Sequence, residues 1–177
     1  PDLEPLLELP LPVAGGSALP LDPQLLRRQL EALFAGADHE WADARRIARD
    51  VQALVELGQS YGVQADWHNA ATVFTTILEA ALRHPYALDD ENGNLYEIIE
   101  QCVGGLGECL DATSDPAARQ PILRALFDLY RWDTERGGSG MADDAVELLL
   151  HHATSAERHL LAQWIRAALP GGAGISD

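Results

Sequence analysis

The sequence predicts an all-α fold built from antiparallel helical hairpins, with about seven helices. Three observations carry this. Apolar residues recur at three- and four-residue steps along most of the chain, no run alternates with the period of two that a strand requires, and glycine, proline and Asp/Asn clusters interrupt the helical pattern at short intervals. With 177 residues, 47% of them hydrophobic, the chain is long enough to bury a core of its own.

Residues 1–22 contain Pro1, Pro5, Pro10, Pro12 and Pro20 around Gly15-Gly16-Ser17, which rules out one continuous helix and predicts a linker or extended strap. Its leucines, Leu3, Leu6, Leu7, Leu9 and Leu11, are too many for a solvated tail. Part of the strap is therefore expected to lie against the helical body. Asp22 offers an N-cap and Pro23 a first helical residue, so a helix is expected over 23–35, ending at Gly36.

The next helix is expected over 39–61, with a broad stripe through Trp41, Ile47, Val51, Leu54, Val55 and Gly58 and a break at Gly62. A third follows over 66–84 and stops at His84-Pro85. The turn Asp89-Asp90-Glu91-Asn92-Gly93 then feeds a helix over 94–112, with Asn94 and Glu97 at the spacing of an N-cap and capping box. Its stripe, Leu95, Ile98, Ile99, Cys102, Val103, Leu106 and Leu110, is the most regular in the chain. Ser114-Asp115-Pro116 opens 116–135, and Gly137-Gly138-Ser139-Gly140 separates it from 141–152. Thr154 with Glu157, again at capping-box spacing, opens 155–169. The helical domain is thus expected over 23–169, followed by a flexible glycine-rich tail over 170–177. The start at Pro1 and the ending Gly171-Gly172-Ala173-Gly174 predict a piece of a longer protein.

Gly58 stands inside a helix, where glycine costs about 1 kcal/mol relative to alanine. A packing reason is expected. Leu54-x-x-Leu57-Gly58-x-x-Tyr61 and Val103-x-x-Leu106-Gly107-x-x-Leu110 share one spacing, and a small residue follows each on the next helix: Ala70 after the first, Ala118 after the second. A glycine facing an alanine lets two helices approach closely. Leu54, Leu57, Gly58, Tyr61, Ala70 and Phe74 fall on the signature positions of a tetratricopeptide repeat, and residues 51–84 have its 34-residue length, so this segment resembles that family. Ile77 stands where the family usually has a small residue, and Pro85 comes three positions late. The second copy, about 100–128, is looser, with a step of 49 residues from Gly58 to Gly107. Residues 141–169 form a third hairpin without the signature.

The resemblance implies a right-handed superhelix in which the first helix of each hairpin lines a concave groove. It places Gln52, Val55 and Gln59 from the first copy, and Gln101, Glu108 and Asp111 from the second, on that groove. A protein-interaction or scaffolding module is implied, binding an extended basic peptide or a neighbouring domain through side-chain hydrogen bonds. A second segment, Leu126 to Gly138 with the two helices after it, resembles the helical C-terminal region of bacterial proteins bearing a SWIM-type zinc finger. The Cys-x-Cys and Cys-x-His pairs of the finger are absent from this sequence.

Charge narrows the partners. The chain has 12 basic residues, all arginine, against 28 acidic ones, a formal charge of -16. A surface this negative repels phosphate backbones and anionic lipid, which argues against direct nucleic-acid or membrane partners and leaves a basic peptide or a cation. Arginine in place of lysine, with abundant Ala and Leu, fits a GC-rich bacterial source. No apolar run is long enough to span a bilayer, and no basic segment precedes an apolar one at the start, so a cytoplasmic location is expected. Cys102 and Cys109 stand seven residues apart on one helix, roughly 10 Å along its axis, too far for a mutual bridge. Buried free thiols are expected.

Candidate chemistry is thin. Asp90-x-Asn92-Gly93 has the flavour of a calcium loop, but its frame puts Leu88 and Ile99 at ligand positions. His151, His152 and His159 lack a zinc spacing. Gly104-Gly105-Leu106-Gly107 lacks the Lys-Ser/Thr of a phosphate loop and sits in an apolar stripe, so helix crowding is its expected cause. Asp133 and Glu135, near Arg131 and Arg136, are expected to be a solvated or ion-paired helix end. No catalytic motif and no cofactor are predicted. The alternatives to an interaction module are a metal-binding or hydrolytic domain using histidines and carboxylates, and a structural spacer whose strap fills its own groove.

Overall fold

The computed structural model describes residues 21–35, 41–84 and 93–168, and these contain seven helices and no strand. They are α1 (Pro23–Ala35), α2 (Trp41–Val63), α3 (Trp67–Arg83), α4 (Asn94–Ala112), α5 (Pro116–Glu135), α6 (Asp143–His152) and α7 (Ser155–Ala168). The all-α prediction is met, with most helix ends within two residues of those expected. Residues 1–20, 36–40, 85–92 and 169–177 lie outside the described residues, and with them the expected break at Gly36, the expected start of the second helix at 39, Pro85, residues 89–92 of the expected turn and the expected tail. Of the expected strap, Leu21 is described. It is buried, and its N–H donates to Asn69 Oδ1 at 2.8 Å.

Caps fix the ends. Asp22 Oδ1 accepts from the N–H of Gln24 at 2.8 Å, Asp66 caps α3 by accepting from the N–H of Asn69, and Asp115 caps α5 ahead of Pro116. The α7 box forms as expected: Thr154 N–H donates to Glu157 Oε2 at 2.8 Å and Glu157 N–H to Thr154 Oγ1 at 3.3 Å. The start of α4 differs. Its N-cap is Gly93, in the left-handed region at φ 72°, with no side-chain cap bond, so Asn94 is the first helical residue rather than the cap.

The expected break at Gly62 also moves. The helix α2 runs on to Val63 and ends in a Schellman turn, with Asp66 N–H donating to Tyr61 O at 2.9 Å and Ala65 N–H to Gly62 O at 2.8 Å. Ala65 occupies the left-handed position at φ 58°. Gly62 is there for packing: a Cβ on it would lie 3.2 Å from the Trp67 ring.

The core is organised around α3, which packs against α1, α2, α4 and α5. Its Phe74 explains two glycines at once. A Cβ on Gly58 of α2 would lie 2.7 Å from the Phe74 ring, and one on Gly105 of α4 would lie 2.4 Å from its other edge. The atoms nearest to Gly58 thus belong to Phe74, one turn on from Ala70 along the same face of α3, because α2 approaches α3 along the wedge of the aromatic ring. Gly107 faces Leu148 of α6, 3.0 Å from a built Cβ, rather than Ala118. The reason is that α4 packs along α2, α3 and α6 and meets α5 only briefly.

Polar ties hold the outer helices. Glu31 on α1 accepts from Arg83 and pairs with His84 Nε2 at 2.7 Å, while Phe34 stacks on the His84 ring. At the other end, Arg119 of α5 is buried with Glu157 of α7, to which its Nε and Nη2 donate at 2.7 and 3.2 Å. The same guanidinium donates to Leu110 O and Thr113 O at the end of α4 and to His152 O at the end of α6. One side chain therefore satisfies carbonyls at two helix ends and the carboxylate of a third helix's cap.

Candidate functional site

The exposed side of α4 carries Glu97, Gln101, Gly104, Glu108 and Asp111, spaced by four and three residues alternately, opposite the core stripe of the same helix. Gly104 is open. A Cβ added there would meet nothing within 4 Å, so the backbone is bare at the centre of this face. On one side Gln52 Nε2 of α2 donates to Gln101 Oε1 at 3.1 Å, joining the α2 stripe of Gln52, Glu56 and Gln59 to that of α4. On the other, Asp111 Oδ1 lies 3.2 Å from His152 Nδ1 of α6.

Charge is unevenly distributed over the helices. Glu97, Glu100, Glu108 and Asp111 on α4 and Asp143, Asp144 and Glu147 on α6 are all exposed, and neither helix contains an arginine. Five arginines on other helices pair with carboxylates at or near the surface: Arg27 with Glu79, Arg46 with Asp50, Arg83 with Glu31, Arg124 with Asp128 and Arg131 with Glu135. Among the described residues no arginine pairs with the carboxylates of α4 and α6. Burial, and then the negative field of Glu100, Asp144, Asp143 and Asp133, holds the Tyr96 hydroxyl above its ordinary range. These carboxylates share one region of field, although they come from three helices.

Of the residues predicted for the groove, Gln59, Glu108 and Asp111 are exposed, and Gln52 and Gln101 are half-buried and bonded to each other. Val55 is a correction. It is 0% exposed, because α2 packs on both α3 and α4, which widens its buried stripe to Val51, Leu54, Val55 and Gly58. Sequence reasoning missed the acidic contribution of α6 and a cleft between α5 and α6. A signal existed: Leu148-Leu149-Leu150 are consecutive, and successive helical residues turn by about 100°, so three neighbours cannot all face the core. Leu149 is buried, Leu148 packs against Gly107, and Leu150 is left in solvent.

Other candidates resolve into structure. Cys102 and Cys109 are free and buried, and burial pushes both thiols up, Cys109 to about 12 with help from Glu108, which removes them as nucleophiles. Asp133 is buried, not solvated: its Oδ1 accepts from Ser139 N–H and Oγ–H at 2.9 and 2.6 Å, anchoring the glycine loop after α5. Glu135 pairs with Arg131, and Arg136 lies over the Trp132 ring at 4.2 Å. His159 Nδ1 contacts Ser155 O at 2.7 Å, and His151 and His152 meet edge to face. Among the described residues, no three His, Cys, Asp or Glu side chains are placed to hold a metal ion, and no helix is long and apolar enough to cross a membrane.

No family model, no curated protein and no solved structure matches this chain.

Proposed function

We propose that the chain is a protein-interaction module, a tetratricopeptide-like array of hairpins that binds an extended basic peptide across the face of α2, α4 and α6, in a cytoplasmic setting. The reading rests on one observation: seven exposed carboxylates on α4 and α6, Glu97, Glu100, Glu108, Asp111, Asp143, Asp144 and Glu147, with no arginine on either helix. Cationic side chains would pair with these carboxylates. The Gln52–Gln101 amide pair retains a donor and an acceptor for a peptide backbone, and bare Gly104 permits its close approach.

The test uses a labelled arginine-rich peptide interspersed with prolines, which cannot become helical. Replacing Gln59, Gln101, Glu108 and Asp111 together with alanine should leave the helical circular dichroism unchanged and weaken capture by about tenfold or more. Binding should also fall with salt. Capture unaffected by the quadruple change would remove this face as the site.

A further inference from the structure

A second surface adjoins the face just described and shares with it the α6 carboxylates Asp143 and Glu147. The cleft between α5 and α6 is walled by Tyr130 on one side and by Val146 and Leu150 on the other, with a volume of about 640 Å³ and an open outer side. Leu150 is 71% exposed on the otherwise acidic α6, and Tyr130 of α5 is 38% exposed on the opposite wall. Asp143 and Glu147 line the same cleft. The α5 arginine next to Tyr130 in the chain, Arg131, is already occupied by Glu135.

We propose that this cleft docks an amphipathic helix from a partner protein, its leucine-type face against Tyr130, Val146 and Leu150 and its Lys/Arg residues against Asp143 and Glu147. Two neighbouring helices leave a furrow into which a third packs by ridges and grooves. The backbones of α5 and α6 are engaged in their own helical bonds, so the cleft offers no edge to an incoming strand. A helix brings its backbone bonds with it. Charge decides the partner: a second copy of this chain, at a formal -16, would set acid against the acidic rim, whereas a basic helix neutralises it.

The probe is a fluorescent synthetic helix with leucines at i, i+4, i+7 and i+11 and lysines or arginines elsewhere, compared by anisotropy with an isomer of the same composition in scrambled order. The ordered helix should bind about tenfold tighter or better, and Leu150→Ser and Glu147→Lys should each reduce that affinity by about tenfold. Both side chains are exposed, so the fold should tolerate the changes, which thermal melts would verify. The quadruple alanine variant of the α2–α4 face should bind the helical probe normally, while Leu150→Ser should still capture the proline-spaced peptide. The two sites can thus fail separately. Equal binding of the scrambled isomer, indifference to Leu150→Ser, or a wild-type dimer in sedimentation that Leu150→Ser dissolves would each overturn the proposal.

Discussion

The ring of Phe74 occupies the space that a Cβ on Gly58 would need, 2.7 Å from its Cε1. The ring cannot yield by sliding away, because Gly105 of α4 closes on its opposite edge at 2.4 Å from a built Cβ. Alanine at either glycine gains up to about 1 kcal/mol in helix propensity but meets overpacking of about 1–3 kcal/mol. Gly58→Ala and Gly105→Ala should therefore lower the denaturant midpoint. Gly104→Ala, with open space around it, should raise stability by up to about 1 kcal/mol. Midpoints moving in the same direction for Gly58→Ala and Gly104→Ala would end the wedge explanation.

A second prediction concerns Ala65, which holds a left-handed conformation at φ 58° where helices usually place glycine. The cost to a residue with a Cβ is about 1 kcal/mol. Ala65→Gly should stabilise by about 0.5–1 kcal/mol, since its Schellman bonds to Tyr61 and Gly62 are already made. At the end of α5, Gly137 holds the corresponding place at φ 99°, so Gly137→Ala should destabilise by a similar amount. Thermal midpoints of the two variants should diverge, and a neutral Ala65→Gly would show that the turn carries no strain.

The helices were legible because their signals are local: Asp22-Pro23, Asp115-Pro116 and Thr154 with Glu157 state where three of them begin. What a glycine faces is not local. Gly58 and Gly107 announced close packing, but the partners Phe74 and Leu148 depend on how α3 and α6 lie against α2 and α4. Val55 was misplaced for the same reason, as the width of a buried stripe reflects how many neighbours a helix has. Gly62 looked like a helix stop because glycine is the usual terminator, whereas alanine took that role three residues on. The carboxylate face was half visible in Glu108 and Asp111. Its continuation onto α6 needed the third dimension.

Asp133 carries the third prediction. Burial opposes its charge, but hydrogen bonds from the side chain and backbone of Ser139 and the backbones of Gly140 and Ala142 outweigh this and hold the carboxyl below its ordinary range. Asp133→Ala would leave those donors without their acceptor, at about 1–3 kcal/mol for each one that stays buried. The loss should appear first as faster amide hydrogen exchange at Ser139 and Ala142. Asp133→Asn, which keeps an accepting oxygen, should recover part of the protection. Unchanged exchange in Asp133→Ala would mean that the glycine turns, not the carboxylate, shape this loop.

The last prediction follows from the junction of Arg119 and Glu157. The guanidinium, opposed by burial and helped by the bonds from Thr154, holds the Glu157 carboxyl at about 2, against 4.5 for a free glutamate. A carboxyl lowered in the folded state contributes stability that is fully present above the unfolded value of 4.5 and is lost as pH falls towards the folded value of about 2. Glu157→Gln should thus be clearly less stable than the wild type at pH 7. Removing one partner of a buried pair typically costs about 3–5 kcal/mol. As the pH is lowered through this window, wild-type Glu157 gains the proton that makes it resemble glutamine, so the two stabilities should converge. Glu31 and Asp133 are also lowered and add to acid sensitivity, but they are common to both proteins and cancel in the difference. Urea midpoints measured across that range report the gap directly. A gap as wide at the acid end as at neutral pH would show that Glu157 acts through packing and its capping bonds, and that its ionic bond to Arg119 adds nothing to the junction.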